Sequence, residues 1–283
     1  MFFLWSIGSL LLILNSCICQ QLCINSCNFN QDFDADLVRP SNCTIIEQER
    51  CSAILIFDYS TRIVNIQFGS YSKKQQRDDI LYTSELISTT MITLENESST
   101  KTKVEFYCSS SSLCEINYVI TQALPVYIHK TCHHLRVNLI SLLHSNPSSS
   151  SRSCMMNDDS VSKCDQPCKL FSPNPNQTLR GCESSSNLEF QTTIGRTTPT
   201  NKPEYDHRLY SYTCTTELCN GYEKQQEIEK LIKSDNGECL SFLEDINQTT
   251  TTTSYNQATS YSKSFYLPVI YFLHMKFFFI FSI

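Results

Sequence analysis

The sequence predicts a mainly β, disulfide-rich fold built from two related small cysteine-pinned β modules, each followed by a short helix. Three observations carry this reading: sixteen cysteines in 283 residues, short β-branched and aromatic runs between them, and a cysteine order that recurs once. A cytosolic chain seldom holds so many thiols unless they bind metal, and these spacings are not those of zinc sites. With 28 Asp+Glu against 22 Lys+Arg and a net charge of −6, there is no basic stripe to displace counterions, so no nucleic-acid partner is expected. The six glycines form neither GxGxxG nor GxxxxGK, and no cofactor is expected.

In chain order, residues 1–19 (MFFLWSIGSLLLILNSCIC) are apolar, free of acidic residues and end in small side chains. They read as a secretory signal peptide, the alternative being an N-terminal anchor. Its removal leaves fourteen cysteines, an even number suited to full oxidation. The first module spans 20–145. Within it, 51–58 (CSAILIFD) and 63–68 (IVNIQF) are strand-like, as are 81–94 and 104–108, with a polar segment at 71–79. Leu135, Leu139, Leu142 and Leu143 recur at helical spacing, so 133–144 reads as an amphipathic helix. The serine-rich stretch 146–153 is the linker.

The second module spans 154–246. Residues 191–205, with Pro199 and Pro203, read as an exposed loop, and 222–233 (YEKQQEIEKLIK) as a helix. Residues 247–264 are a Thr/Ser-rich stalk with too little apolar content to fold. The tail 265–283 is strongly apolar, lacks basic residues after it, and carries His274 and Lys276 within it. That pattern fits a glycosylphosphatidylinositol signal attached at Asn256, the alternative being a transmembrane helix. Either way the expected location is the cell surface, on the extracellular face of the plasma membrane.

The cysteines fall into two series. Cys23-x3-Cys27, Cys43, Cys108-x5-Cys114 and Cys132 match Cys164-x3-Cys168, Cys182, Cys214-x4-Cys219 and Cys239; Cys51 and Cys154 are left over. Each half then holds seven, so one bridge should join the halves, involving Cys132, Cys154 or Cys239. Spacing does not fix connectivity. The expected pairs are Cys27–Cys43, Cys168–Cys182, Cys108–Cys114 and Cys214–Cys219, with six cysteines open. Units of this size have marginal cores, and covalent closure restricts their unfolded state.

The stretch YTCTTELCN at 212–220 resembles the closing signature of the urokinase-receptor and lymphocyte-antigen three-finger (LU-domain) family. That resemblance implies a three-finger-like β fold, a closing Cys214–Cys219 pair and Asn220 as a clamp between strand ends. It also implies a lipid-anchored protein acting as a receptor, ligand trap or modulator. Cys164, Cys168 and Cys182 are similar to the family's opening cysteines. Departures are Thr213 in place of a further cysteine, an opening spacing of three rather than two, and Glu115 where the first half would carry the asparagine.

Sequons stand at Asn42, Asn96, Asn176 and Asn247; Asn96, Asn176 and Asn247 are the expected glycosylation sites, since Cys43 lies inside the first sequon. His129, Cys132, His133 and His134 have metal-ligand character, yet Cys239 at the matching place has no histidines near it, and no metal site is expected. Asp32, Asp34 and Asp36 lack the glycine and glutamate of a calcium loop and read as solvated. HExxH, GxSxG and CxxC are absent, and no enzyme is expected. The expected role is binding an extracellular protein or other ligand through exposed stretches such as 70–79 and 192–205. A structural coat glycoprotein, or a single-pass membrane protein of other activity, is the alternative.

Overall fold

The structure, a computed structural model, describes residues 20–240 apart from 37–40, 42, 70–81, 96–98, 145–150, 175–176, 185–186, 201–202 and 236. The expected signal, stalk, tail, lipid-attachment residue Asn256, contact stretch 70–79 and sequon residues Asn42, Asn96, Asn176 and Asn247 lie outside the described residues. The fold is mainly β and disulfide-rich.

Among the described residues seven strands come first: β1 (Gln21–Asn25), β2 (Cys27–Asp32), β3 (Thr44–Gln48), β4 (Cys51–Asp58), β5 (Ile63–Phe68), β6 (Tyr82–Thr93) and β7 (Thr100–Cys108). A helical run follows: α1 (Cys114–Tyr118), a π turn (Val119–Ala123) and α2 (Leu124–Tyr127), then α3 (His133–Leu143). Six more strands and a helix complete the described residues: β8 (Arg152–Met155), β9 (Val161–Cys164), β10 (Cys168–Asn174), β11 (Gln177–Cys182), β12 (Glu189–Pro199), β13 (Tyr205–Cys214) and α4 (Tyr222–Ser234).

The strands make two small pairs, β1–β3 and β8–β9, and one nine-stranded antiparallel sheet in the order β11-β10-β13-β12-β6-β7-β4-β5-β2. Alternation in β4 shows why this sheet is two-faced: Ala53, Leu55 and Phe57 are buried while Ile54 and Ile56 are half-buried on the other face. The buried face is covered by helices. Phe57 stacks on Tyr127 with ring centres 5.2 Å apart, and Phe106 on Tyr118 at 3.9 Å. In the second half Leu170, Phe190, Tyr210 and Tyr212 share one core with Leu135, Leu139 and Leu143 of α3 and Ile228 and Ile232 of α4. The opposite face carries polar ladders, such as Asn65 donating to the Asn28 and Asn30 side-chain oxygens at 2.8 Å.

The two expected modules are halves of one compact unit, and their sheets are fused. The order is palindromic about the β6–β12 junction, with β2 added at one end. Leu86 faces Phe106, two residues before Cys108, and Phe190 faces Tyr212, two before Cys214; Leu86 and Phe190 are therefore counterparts. By the same offset Thr89 corresponds to Thr193, and these two residues face each other across the junction, with hydroxyls 3.0 Å apart. Glu85 faces Thr197 and its counterpart Glu189 faces Thr93. The same strand of each half thus pairs with its counterpart about a local two-fold between Thr89 and Thr193.

Several expectations change. Residues 191–205 are not an exposed loop: β12 runs to Pro199 between β13 and β6, with Thr192, Thr193 and Thr197 buried. Threonine is polar in composition, but its β-branched side chain suits a pleated surface. Strand β8 starts at Arg152, so the last two residues of the expected linker belong to the sheet pair. The repeat's helix also moves. The counterpart of α4, which follows Cys219, is the run after Cys114, and α3 is a connector into the second half. The π turn sits just before Pro125, whose missing N–H cannot continue an α ladder.

Candidate functional site

Seven bridges join the described cysteines. Cys27–Cys43, Cys108–Cys114 and Cys214–Cys219 are present, and Cys132–Cys239 is the link between the halves. The Cys168–Cys182 pair is corrected: Cys168 bonds Cys154 and Cys182 bonds Cys164. Cys168 and Cys182 face each other in the β10–β11 register, but the sulfur of Cys168 is drawn to β8 instead. Cys23–Cys51 ties β1 to β4 as Cys154–Cys168 ties β8 to β10. The two cysteines left over by spacing, Cys51 and Cys154, are thus the ones that set the true frame. Cys27–Cys43 and Cys164–Cys182 are each peculiar to one half.

The most densely specified feature in each half is the closure after β7 and after β13. Leu113 and Leu218, each preceding the second cysteine of the closing pair, both adopt left-handed backbone, with φ of 58° and 51°. Leu113 N–H donates to the Leu22 carbonyl at 2.7 Å and Leu218 N–H to the Ser153 carbonyl at 2.9 Å, in both cases the residue before the first bridged cysteine. The Leu22 N–H is held by the Ser112 hydroxyl at 3.1 Å, and the Ser153 N–H by the Glu217 carboxylate at 2.8 Å. The hydrogen bonds to Ser153 hold the Glu217 carboxyl below its ordinary value. Both tight turns are therefore pinned to the first strand of their half by backbone and side chain together.

One position beyond the closing cysteine lies the clamp. Asn220 is fully buried; its oxygen accepts the Met155 N–H at 2.9 Å, and its amide donates to the carbonyls of Met155 at 2.8 Å and Lys169 at 3.1 Å. One side chain thereby joins β8 to β10. Arg180 donates to the Asn220 carbonyl at 2.9 Å and lies over the Tyr222 ring, extending the network to β11 and α4. In the first half Glu115 occupies the same place, accepting the Ile24 N–H at 2.6 Å. Thr213, where the resemblance would place a cysteine, accepts the Glu189 N–H at 2.9 Å and donates to the Asn187 carbonyl at 2.8 Å, tying β13 to the segment entering β12 without a bridge.

Near this clamp, on the sheet face opposite the helices, is a shallow depression of about 300 Å³ lined by Lys169, Phe171, Glu183, Glu189, Gln191 and Ser211, among others. Lys169 pairs with Glu183 and holds its carboxyl below the ordinary value. The depression offers charge, hydrogen bonds and the aromatic surface of Phe171 and Tyr212.

The histidine cluster does not become a thiolate site, because Cys132 is bonded to Cys239; His134 Nδ1 instead lies 3.1 Å from the Asn138 amide. Sulfur atoms do gather elsewhere, at Cys154, Cys164 and Cys182 and around Glu115, but as cystines they present no thiolate to a metal. Asp34 pairs with Arg62 at 2.9 Å on the surface, and Asp32 and Asp36 are exposed. Among the described residues no helix is long and apolar enough to cross a membrane. The chain matches no family model, no curated protein and no solved structure.

Proposed function

We propose that this protein is a membrane-tethered, extracellular binding protein of the urokinase-receptor and lymphocyte-antigen three-finger type, with two such units fused through one sheet. The observation that carries the reading is the Asn220 clamp beside the Cys214–Cys219 closure, in which one buried amide joins three backbone groups on two strands. The same closure recurs after Cys108, with the same backbone donors and acceptors. A scaffold pinned in this way holds the bases of its hairpins while their tips and the uncovered sheet face engage another molecule. The tether is a lipid joined to the Asn256 carboxyl as the Asn256–Gln257 bond breaks and residues 257–283 leave. Glycans at Asn96, Asn176 and Asn247 dress the surface, and the role is recognition rather than catalysis.

Phosphatidylinositol-specific phospholipase C applied to intact cells displaying the full chain tests the tether, and releases the protein into the medium. Retention on the membrane, with peptides from 265–283 recovered from the mature protein, overturns it. Binding of the released ectodomain to ligand-bearing cells saturates and is abolished by reduction of the bridges. Linear, unsaturable binding on every cell type favours a structural coat component instead.

A further inference from the structure

The two clamps differ in their end groups: Asn220 carries a carboxamide, and Glu115 a carboxyl on a side chain one methylene longer. Asn220 presents an acceptor and two donors, and all three are used. Glu115 is as fully buried as Asn220, and its Oε1 accepts the Ile24 N–H, the counterpart of the Met155 N–H. Its Oε2 is buried without a hydrogen-bond partner among the described residues. The groups that the Asn220 amide satisfies are the carbonyls of Met155 and Lys169; by register their counterparts are those of Ile24 and Ser52. Carbonyls can accept from a carboxylic acid but only repel a carboxylate. An ionised, unpaired carboxylate in this place would carry a large desolvation cost.

We propose that Glu115 works as a proton-dependent clamp: as a neutral carboxylic acid it reproduces the acceptor and one of the two donors of Asn220 and closes the first half, and loss of its proton to solvent loosens β1 from the closing turn. The elements packed most closely on α1 are the π turn, which carries no charged residue, and β1, β4 and β7. Their charged residues are Asp58, Lys101, Lys103 and Glu105, of which Lys101 pairs with Asp58 and Lys103 with Glu105. The four surrounding cysteines, Cys23, Cys51, Cys108 and Cys114, are in bridges and do not titrate. What acts on the Glu115 carboxyl is burial, which raises it above its ordinary value, opposed by the N–H groups of Ile24 and of Glu115 itself. A carboxyl raised on folding contributes fully below its unfolded value, and that contribution is lost as pH rises through the folded value. The first half is therefore tightest in acid.

The test is a carbon-13 titration of the glutamate carboxyls of the intact ectodomain, with Glu115 assigned by its absence in E115Q. The Glu115 signal is expected to titrate above the ordinary glutamate value of about 4.3; a midpoint at or below that value overturns the proposal. Thermal melting supplies a second readout. E115Q, which carries the amide permanently, should melt with the native chain near about pH 4 and several degrees above it near about pH 7. A melting difference that does not change with pH overturns it as well. Should E115Q fail to fold, carboxyls assigned through backbone correlations in the native chain decide the matter alone.

Discussion

Removing the bridge between the halves should cost more than removing any local one. Cys132 and Cys239 are buried counterparts separated by 107 residues. The bridges Cys154–Cys168, Cys164–Cys182 and Cys214–Cys219 fall inside that loop and shorten the path through it, to about 80 residues. On the chain-entropy argument, closing a loop of that length restricts the unfolded state by about 4.5 kcal/mol. The double variant C132A/C239A removes this term without leaving a free thiol. For a unit of this size, that loss lowers the melting temperature by about 10–15 °C. The comparison is C108A/C114A, whose bridge spans 6 residues and contributes about 2 kcal/mol by the same argument. Calorimetry of the oxidised ectodomain measures both. If C132A/C239A melts within about 2 °C of the native protein, the long bridge does not constrain the unfolded chain and the reasoning fails.

Three further outcomes follow from local geometry. Asn220→Ala strands the Met155 N–H and the Met155 and Lys169 carbonyls in a buried place, so it should destabilise by about 3 kcal/mol in denaturant unfolding; a loss below about 1 kcal/mol refutes the clamp. Gly69→Ala meets backbone, since a side-chain carbon there would lie 2.7 Å from the Asn25 Cα at a φ of +73°. It should cost about 2 kcal/mol or more by the same measurement. By contrast Arg196→Ala, which removes ion pairs to the half-exposed Asp206 and Glu204, should cost less than about 1 kcal/mol, and that loss should shrink in high salt.

The cysteine count, the strand runs at 51–58 and 63–68, and the closing motif at 212–220 were legible because each rests on local chemistry. Helices 133–144 and 222–233 were legible from leucine spacing and helix formers, and the structure places α3 and α4 there. The repeat was legible but its frame slipped. Matching the two x3 spacings aligned Cys23 with Cys164, whereas the paired strands align Cys23 with Cys154 and Cys51 with Cys168. Spacing along the chain carries no information about which strands meet. The helical run after Cys114 was missed because Val119, Ile120 and Pro125 weigh against helix, and burial of Tyr118 and Tyr127 against the sheet overrides them. Residues 191–205 were read as a loop because of Pro199 and Pro203, yet Pro199 only ends β12, whose threonines suit a pleated strand. The Glu115 substitution was visible in the sequence, but its meaning needed the burial and the unpaired oxygen.

Two counterpart halves are fused through β6 and β12 and locked by sulfur bridges in one particular frame. A non-reducing peptide map of the mature ectodomain tests it most directly. Linked peptides should join Cys23 to Cys51, Cys154 to Cys168, Cys164 to Cys182 and Cys132 to Cys239. A peptide joining Cys168 to Cys182, or free thiols at Cys132 and Cys239, would contradict it.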